Sequence, residues 1–426
     1  MLDIKFIREH GEKVRQGAKN KRLSFDLDRL LAVDQNIRPL QAEWENLQSQ
    51  RNALSKEIGQ ASPDARSALK SQVTTLKTRM DELEQNLKPL RQELNDLMLL
   101  VPQPARDDVP IGRDDQENVE VRRVGVLPQF DFPIKDHVAL GESLDLIDIG
   151  RGVKLAGSRS YVLKGLGARL EQAILRLTFD LLVERGYMPM SIPVLVTEEC
   201  MVGTGYFPTG REQAYLAERD EMALVGTAEV ALTSYHAKEI LRADQLPLRM
   251  MAQSSCFRRE AGTYGKDTQG LYRVHQFQKI EQVIIAPADP AMSEKLHDEL
   301  LTNAEDVLKA LELPYRVVYV CTGDLGQGQV RKHDIETWMP SRKSYSETHS
   351  CSTFHDFQAR RLQMRYKSAA GENLFCYTLN NTAIASPRIL IPFLECHQQA
   401  SGQVRIPEKL QPYLGGLKEI APRQVP

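Results

Sequence analysis

Two stretches of this 426-residue chain share one heptad spacing of apolar residues, and Ser62-Pro63-Asp64 lies in the break between them. Spacings that alternate between three and four residues leave a narrow apolar seam, which two helices can bury by folding back on each other. We therefore predict a long antiparallel coiled-coil hairpin, called the arm, over residues 27–100, with its tip near residues 60–66. At 1.5 Å per residue it should extend roughly 50 Å. The seam residues are Leu30, Val33, Ile37, Leu40, Trp44, Leu47, Leu54 and Ile58, then Leu69, Val73, Leu76, Met80, Leu83, Leu87, Leu90, Leu94 and Leu97.

Charge is distributed unevenly along the arm. Residues 51–79 contain six basic residues and only two acidic ones, Glu57 and Asp64, which leaves a net charge of +4 around the tip, whereas the base of the arm is acidic. A basic tip suits a polyanion such as RNA, because each neutralised phosphate releases counterions. Ordinary charge scatter on a solvated coiled coil is the alternative. The basic residues are Arg51, Lys56, Arg66, Lys70, Lys77 and Arg79.

Two prolines lie inside the heptad pattern. Pro39 and Pro89 are each 25 residues from Asp64. Proline inside a helix removes a hydrogen bond and bends the helix. The equal distances predict that the two prolines face each other and form a paired kink on which the outer arm swings. Two independent kinks are the alternative.

Composition indicates a protein with at least one large apolar core, since 42% of the residues are hydrophobic and the net charge is only −2. The first residues do not resemble a signal peptide, and no eighteen apolar residues run together, so a cytoplasmic protein is expected. The six cysteines include no CxxC pair. We expect reduced thiols and no structural zinc.

A linker at Val101-Pro102-Gln103-Pro104 divides the chain into an N-terminal domain over residues 1–104 and a second domain over residues 105–426. A helix is predicted over Leu166–Arg185. Several strand-like runs with few crossover helices predict an α+β domain around a largely antiparallel sheet. The predicted strands are Leu248–Phe257, Arg273–Ile285, Tyr315–Tyr319, Arg361–Tyr366 and Leu374–Thr378.

The densest group of polar residues lies in residues 256–282, where two strand-like segments flank a glycine-containing loop. Period-two alternation places Arg258 and Glu260 on one face of the first segment. It places Arg273, His275, Phe277, Lys279 and Glu281 on one face of the second. An aromatic ring among so many charges suits a flat ligand such as a purine, with the arginines at its phosphates. An exposed sheet with one incidental phenylalanine is the alternative.

Two further segments suit a phosphate ligand. Arg388 directly precedes the apolar run Ile389–Leu394, where a lone cation would be costly without an anionic partner. Residues 347–352 supply hard oxygen ligands, which suit Mg²⁺ shared with phosphates rather than zinc. The glycines of residues 323–328 lack the spacing of a dinucleotide-binding fingerprint, so we exclude that fold.

These motifs appear together, in order, over nearly the whole chain. They are MLDIKFIRE, HVALGE, KGLGARLEQA, GTGYFP, GTAEVALT, FRREAGTYGKDTQGLYRVHQF, DIETWMP, SCSTFHDFQARR and TLNNTAIASPR. In combination with the arm they resemble the seryl-tRNA synthetases of bacterial type, which are class II aminoacyl-tRNA synthetases. The resemblance implies a class II antiparallel catalytic domain, and an arm that binds the tRNA through the six basic residues of its tip.

The resemblance also implies a reaction and a set of roles. Serine and ATP would give seryl-adenylate and pyrophosphate, and serine would then pass to tRNA(Ser), with tRNA(Sec) as a second candidate. Arg258, Glu260 and Arg388 would be catalytic. The implied ATP-binding residues are Arg258, Arg259, Glu260, Arg273, Val274, Phe277, Glu347, Thr348, His349, Ser350 and Arg388, with Mg²⁺ on Glu347 and Ser350. The implied serine-binding residues are Thr227, Ala228, Glu229, Arg258, Glu281, Asn380 and Thr382.

The family is dimeric, and the helix over Leu166–Arg185 with the strand ending at Pro193 matches its dimer-forming motif. A homodimer is therefore expected. Two alternatives remain open at this point. One is a synthetase-like paralogue that activates another small amino acid or loads a carrier protein, and the other is a non-catalytic RNA-binding regulator.

Overall fold

The computed structural model describes residues 1–262 and 270–422, apart from the side chain of Pro63. The chain forms two compact units. One consists of Leu2–Lys19 and Leu23–Pro102, and the other consists of the chain from Gln103 onwards together with Met1 and Asn20–Arg22. Within the described residues, no helix has the length and apolar character needed to cross a membrane.

The helices alternate with strands along the second unit, whereas the first unit is helical. The helices are α1 (Ile4–Glu9), α2 (Gly11–Asn20), α3 (Leu27–Gln60), α4 (Pro63–Leu100), α5 (His137–Ser143), α6 (Ile149–Ala156), α7 (Leu166–Glu184), α8 (Glu198–Thr204), α9 (Glu229–Ser234), α10 (Pro290–Ala310), α11 (Phe357–Arg361) and α12 (Leu390–Cys396). The strands are β1 (Val119–Val124), β2 (Ile147–Asp148), β3 (Val162–Leu163), β4 (Met188–Pro189), β5 (Leu195–Thr197), β6 (Tyr215–Ala217), β7 (Met222–Leu224), β8 (Ile240–Arg242), β9 (Leu248–Phe257), β10 (Gln276–Ala286), β11 (Tyr315–Tyr319), β12 (Arg331–Met339), β13 (Ser344–His355), β14 (Arg365–Lys367), β15 (Asn373–Phe375), β16 (Tyr377–Ser386), β17 (Val404–Arg405) and β18 (Glu419–Ile420).

The arm consists of α3 and α4, which pack along each other as predicted. The side chain of Asp26 caps α3 by accepting from the backbone N–H of Arg29 at 2.8 Å, which satisfies a donor that the first turn leaves free. Proline at the start of α4 is favourable, since its missing N–H would have no partner there. Val33, Ile37 and Leu87 are buried in the seam, so the heptad pattern buries its apolar side near the base of the arm.

The predicted pairing of the two prolines at one height is wrong. Both helices run through them without interruption, and Arg79 Nε lies 2.9 Å from Glu43 Oε1 across the arm. Pro89 comes ten residues after Arg79, so in this register it lies at the level of Val33. Pro39 is about six residues, or roughly 9 Å, further along the arm. The two prolines therefore do not face each other, as a paired hinge would require.

The second unit is built around an eight-stranded sheet in the order β1-β11-β12-β13-β16-β10-β9-β4. Neighbouring strands are antiparallel except for β9 and β4. Leu170 and Ile174 of α7 pack in one apolar cluster with Leu300 of α10 and with Ile280 and Ile284 of β10. Because side chains alternate along a strand, the odd-numbered residues at the start of β10 face away from this cluster. The predicted α+β fold class is confirmed.

Strand predictions succeeded where apolar runs were clear. Leu248–Phe257 and Tyr315–Tyr319 have the predicted bounds. Of the strand predicted over Arg361–Tyr366, only Arg365 and Tyr366 are in a strand, β14, because α11 extends to Arg361. Strands β12 and β13 were not predicted, because their polar residues hide the alternation.

A buried pair of histidines joins α10 to the sheet. His297 Nε2 lies 2.9 Å from His333 Nδ1, and His297 Nδ1 lies 2.9 Å from Thr353 Oγ1. The ring of His333 also stacks on Tyr319 with 4.5 Å between centroids. Burial and the nearby Arg331 lower the pKa of His333 to about 3, and burial lowers the pKa of His297 as well. Both imidazoles are therefore neutral in the folded protein.

This pair predicts a loss of stability in mild acid. The unfolded chain takes up a proton at each imidazole below about pH 6.5 and the folded chain does not, so the free energy of unfolding falls as the pH decreases. Because the folded-state pKa of His333 is about 3, this residue alone should lower the free energy of unfolding by about 1.4 kcal/mol for each pH unit of decrease between roughly pH 6.5 and 3. Urea unfolding at pH 7 and pH 5 measures the loss. It should be about 2 kcal/mol smaller in His333→Gln, and equal losses in the two proteins would contradict the assignment.

Candidate active site

A cavity of about 300 Å³ lies on the sheet, with walls formed by residues of β10, β13 and β16 and by the segments that flank β9 and β10. Phe277, Lys279 and Glu281 line it at alternate positions of β10. Glu281 lies opposite Thr382 of β16, next to an irregularity in the pairing. The sheet therefore brings an aromatic ring, a cation, a carboxylate and a hydroxyl into one pocket.

One end of the cavity is rich in arginine. Arg258 follows the last residue of β9, and its backbone N–H donates to the carbonyl oxygen of His275 at 2.9 Å. Its guanidinium carbon lies 5.2 Å from the centre of the Phe277 ring. Next to it, Arg273 Nη1 lies 3.2 Å from Glu260 Oε2. These groups form a flat aromatic surface with cations at its edge.

Arg388 reaches the same end from the segment after β16. Its Nε donates to the carbonyl oxygen of Tyr272 at 3.2 Å and its Nη1 to that of Glu347 at 3.1 Å. The guanidinium also lies 4.5 Å from the centre of the Tyr272 ring. Within the described part of the chain, no carboxylate lies within ion-pair distance of Arg258 or Arg388. Their positive charge is therefore available to an anionic ligand.

Oxygen ligands for a cation lie beside the arginines. Glu347 and Ser350 both line the cavity. Burial acts to raise the pKa of Glu347, but Lys332 and the neighbouring arginines hold it below its usual range, so the group is a carboxylate. Behind them, burial raises the pKa of Asp334 to about 7, and Lys332 Nζ lies 2.9 Å from its Oδ2. A carboxylate and a hydroxyl are ligands that Mg²⁺ accepts, so these residues fit that ion.

The opposite end of the cavity is small and polar. Thr227 Oγ1 donates to Glu281 Oε2 at 2.9 Å, and Lys279 Nζ forms an ion pair with the same carboxylate. Lys279 Nζ also lies 3.5 Å from Thr382 Oγ1. Asn380 lines this end as well. Buried polar groups arranged in this way suit a small ligand with both charged and hydroxyl groups.

A second carboxylate completes the polar end. Glu229, at the start of α9, accepts from Tyr206 Oη at 2.7 Å and from Gln358 Nε2 at 2.8 Å. Burial and the neighbouring Glu281 raise the pKa of Glu229 to about 7. An ammonium group bound beside the two carboxylates would favour the charged form of Glu229.

Not every predicted residue lines the cavity. Thr227 and Ala228 are buried behind it, where Thr227 orients Glu281. Arg259 is exposed and is not part of the lining. His275 is also absent from the lining, and its Nδ1 lies 3.0 Å from the carbonyl oxygen of Arg258. The remaining predicted ATP and serine residues line the cavity: Arg258, Glu260, Arg273, Val274, Phe277, Glu347, Thr348, His349, Ser350, Arg388, Glu229, Glu281, Asn380 and Thr382.

His349 is buried in the cavity wall beside Thr348. Its Nδ1 lies 2.8 Å from Thr348 Oγ1, and burial lowers its pKa to about 4. The ring is therefore neutral, and it adds no positive charge for a phosphate.

Sequence reasoning assigned no role to several residues of the cavity. Alternation placed Lys279 on the same face of β10 as Phe277 and Glu281, so the sequence did indicate that Lys279 lies in the cavity. Tyr206 lies in the motif GTGYFP and Gln358 in SCSTFHDFQARR, but no spacing indicates that both meet Glu229. Residues 326–329 also line the cavity. A Cβ atom on Gly328 would lie 2.4 Å from the ring of Phe357, so close packing explains this glycine.

An antiparallel sheet that carries an arginine-rich pocket and an adjoining polar pocket is the arrangement expected of a class II aminoacyl-tRNA synthetase. In agreement, residues 215–397 match the model of the tRNA synthetase class II core domain (G, H, P, S and T). Residues 1–104 match the model of the seryl-tRNA synthetase N-terminal domain.

Relatives over the full length specify the family. The serine--tRNA ligase of Deinococcus radiodurans is 48% identical over 98% of both chains, and that of Treponema denticola is 41% identical over 97% of this chain and 99% of its own. The solved seryl-tRNA synthetase of Pyrococcus horikoshii, complexed with ATP, is 35% identical and superimposes with a TM-score of 0.89 over all of both chains. The cytoplasmic serine-tRNA ligase of Naegleria fowleri, in complex with AMP, is 30% identical with a TM-score of 0.86, covering 100% of this chain and 99% of its own. The chain belongs to the seryl-tRNA synthetase family, as predicted.

Proposed function

We propose that the protein activates L-serine with ATP and transfers the serine to tRNA(Ser), and that tRNA(Sec) is a further substrate. The observation that carries the proposal is the cavity in which an aromatic ring lies beside Arg258 and Arg388, neither of which has a carboxylate partner among the described residues, and adjoins a pair of carboxylates. The first end suits the purine and phosphates of ATP, and the second suits the ammonium and hydroxyl groups of serine. Family membership supports both assignments.

In the activation step a serine carboxylate oxygen attacks the α-phosphorus of ATP and pyrophosphate leaves. No side chain has to act as a nucleophile, so the site works by positioning and by placing positive charge where negative charge develops. We assign Arg258 to the α-phosphate, and Arg273 and Arg388 to the β- and γ-phosphates. The adenine would stack on Phe277, between Glu260 and the backbone of Val274.

Glu347 and Ser350 are the residues proposed to hold Mg²⁺, which would supply positive charge to the phosphate oxygens and the leaving pyrophosphate. Among the described residues, no three His, Cys, Asp or Glu side chains cluster as a metal site. The ion is therefore proposed to bind together with ATP, whose phosphates would complete its ligands.

Selectivity for serine is proposed to come from the small polar end of the cavity. Thr382 and the Lys279–Glu281 pair can hydrogen-bond the substrate hydroxyl. Alanine would leave these buried groups unpaired, which can discriminate by roughly 10⁴ or more. Threonine differs by one methyl group, a weaker basis for rejection, so threonine is the expected competing amino acid.

The arm is proposed to bind the tRNA backbone. Of the six basic residues near its tip, Arg79 is already paired with Glu43 at 2.9 Å and with Glu82 at 3.1 Å. The other five form no ion pair with any side chain that the structure describes, which leaves them available to phosphates. They are Arg51, Lys56, Arg66, Lys70 and Lys77.

We also propose a homodimer formed through α7 and β4. Strand β4 lies at the edge of the main sheet, and Met188 on it and Val183 on α7 are nearly half exposed, which leaves apolar surface for a second chain to cover. A purified chain that sediments as a monomer would contradict this part. A cytoplasmic location stays a prediction.

Pyrophosphate exchange with a panel of amino acids tests the proposed function. Exchange that depends on serine, with threonine at a far lower kcat/KM and alanine near background, is expected. Exchange with another amino acid would favour the paralogue, and no exchange with any amino acid would favour the non-catalytic regulator. Charging of tRNA(Ser) and tRNA(Sec) transcripts then tests the second step.

A further inference from the structure

His137 links the buried core to the backbone segment that lines the arginine-rich end of the cavity. It is the first residue of α5 and the start of the motif HVALGE, which has no part in the roles assigned above. Its side chain is 12% exposed, so it has little contact with solvent. Both of its ring nitrogens have a partner.

The two hydrogen bonds of the ring determine its tautomer. The backbone N–H of Leu271 donates to Nε2 at 3.2 Å, so Nε2 carries no proton. Nδ1 therefore carries the proton and donates to Glu395 Oε1 at 3.1 Å. The neutral ring acts as a bridge, with an acceptor on one side and a donor on the other.

Glu395 holds its end of the bridge firmly. It is fully buried, and it also accepts from the backbone N–H of His137 at 3.0 Å. The backbone N–H and the hydroxyl of Ser341 donate to the two carboxylate oxygens, each at 2.9 Å. With four donors the carboxylate is fixed, so the imidazole is held at both its backbone and its side chain.

The other end of the bridge lies at the cavity. A Cβ atom on Gly270, which has a φ of +78°, would lie 2.4 Å from His137 Nε2, so the backbone passes directly against the ring. Leu271 is fully buried. The carbonyl oxygen of the next residue, Tyr272, accepts from Arg388, and Arg273 follows. The imidazole thus holds the backbone from which two phosphate-directed arginines take their positions.

We propose that His137 is a positioning residue for ATP, acting through Leu271 on Arg388 and Arg273. The inference rests on the proposed function, because it takes the arginine-rich end as the triphosphate site. Loss of the acceptor at Nε2 would leave the buried Leu271 N–H unpaired and allow the segment to move, which weakens ATP binding but does not reach the serine end.

Two substitutions separate the two sides of the bridge. Gln in His137→Gln can place its carboxamide oxygen where Nε2 lies and still accept from Leu271. Asn in His137→Asn can donate to Glu395 but is too short to reach Leu271. In pyrophosphate exchange we expect the KM for ATP to rise about tenfold in His137→Asn and to stay within about twofold in His137→Gln, with the KM for serine within about twofold in both.

Ser341→Ala is the matched control, because it removes one donor to Glu395 and leaves both hydrogen bonds of the ring. Its KM for ATP should equal that of the unchanged protein. If the Asn and Gln variants have equal KM values for ATP, or if the KM values for ATP and serine rise together, the inference is wrong. An inactive unchanged protein would instead contradict the proposed function. Thermal unfolding of all three variants identifies any effect that is only a loss of stability.

Discussion

Replacement of Arg258 by alanine is expected to lower the rate of serine-dependent pyrophosphate exchange by about 10²–10³-fold. Its guanidinium lies against the Phe277 ring, and no carboxylate of the described residues neutralises it, so its charge is available to the α-phosphate. A prearranged charge of this kind stabilises the transition state more than bound ATP. The loss should therefore appear mainly in kcat, measured under saturating ATP and serine.

The neighbouring residue provides the control. Arg259 carries the same side chain one position further along and is exposed like Arg258, but it does not line the cavity. Arg259→Ala should retain exchange within about threefold. Arg258→Lys keeps the charge without the planar donor pair and should fall between the two. Equal losses in the two alanine variants would show that the effect is one of overall charge and not of position.

This pair of arginines also marks the limit of the sequence prediction. Alternation correctly placed Phe277, Lys279 and Glu281 on one face of β10, because that strand is regular there. Strand β9 ends at Phe257, yet alternation continued beyond it still selected Arg258 and Glu260, which line the cavity, whereas Arg259, which only the family resemblance implied, does not.

Side-chain contacts between distant segments of the site could not be predicted from local spacing. Glu229 meets Tyr206 and Gln358 from three separate elements, and the position of Glu281 opposite Thr382 depends on an irregular strand register. A register of this kind depends on the whole sheet and not on local spacing.

The proline prediction failed for a simple geometric reason. It took the turn of the arm to be at Asp64, whereas the helices end and begin around Ala61 and Ser62. In an antiparallel hairpin, moving the assumed centre of the turn by one residue along the chain changes the number of the residue that faces a given position by two. A three-residue error therefore separated Pro39 from Pro89 by about six residues, although the existence and direction of both helices were predicted correctly.

Shortening the arm is expected to separate the two steps of the reaction. The pairing of Arg79 with Glu43 places Thr75 opposite Leu47, so removal of residues 48–74, with a short glycine turn in their place, preserves the register of the remaining seam. The deletion removes four of the five unpaired basic residues of the tip. Pyrophosphate exchange should stay within about twofold, since the cavity is unchanged, while kcat/KM for charging tRNA(Ser) should fall by on the order of 10² or more.

A variant with altered charge distinguishes the effect of losing phosphate contacts from the effect of shortening the arm. Replacement of Arg51, Lys56, Arg66 and Lys70 by glutamine keeps the length of the arm, and it should weaken tRNA binding and make its affinity less dependent on salt concentration, because fewer counterions are released. Arg79→Gln is the control. Because Glu43 and Glu82 already neutralise Arg79, this substitution should change the salt dependence of tRNA binding little. If the glutamine variant charges tRNA(Ser) normally and the shortened arm does not, shape rather than charge guides the tRNA. If the shortened protein charges as well as the full chain, the outer arm over residues 48–74 has no part in tRNA binding, since the rest of the chain would then be sufficient for both steps.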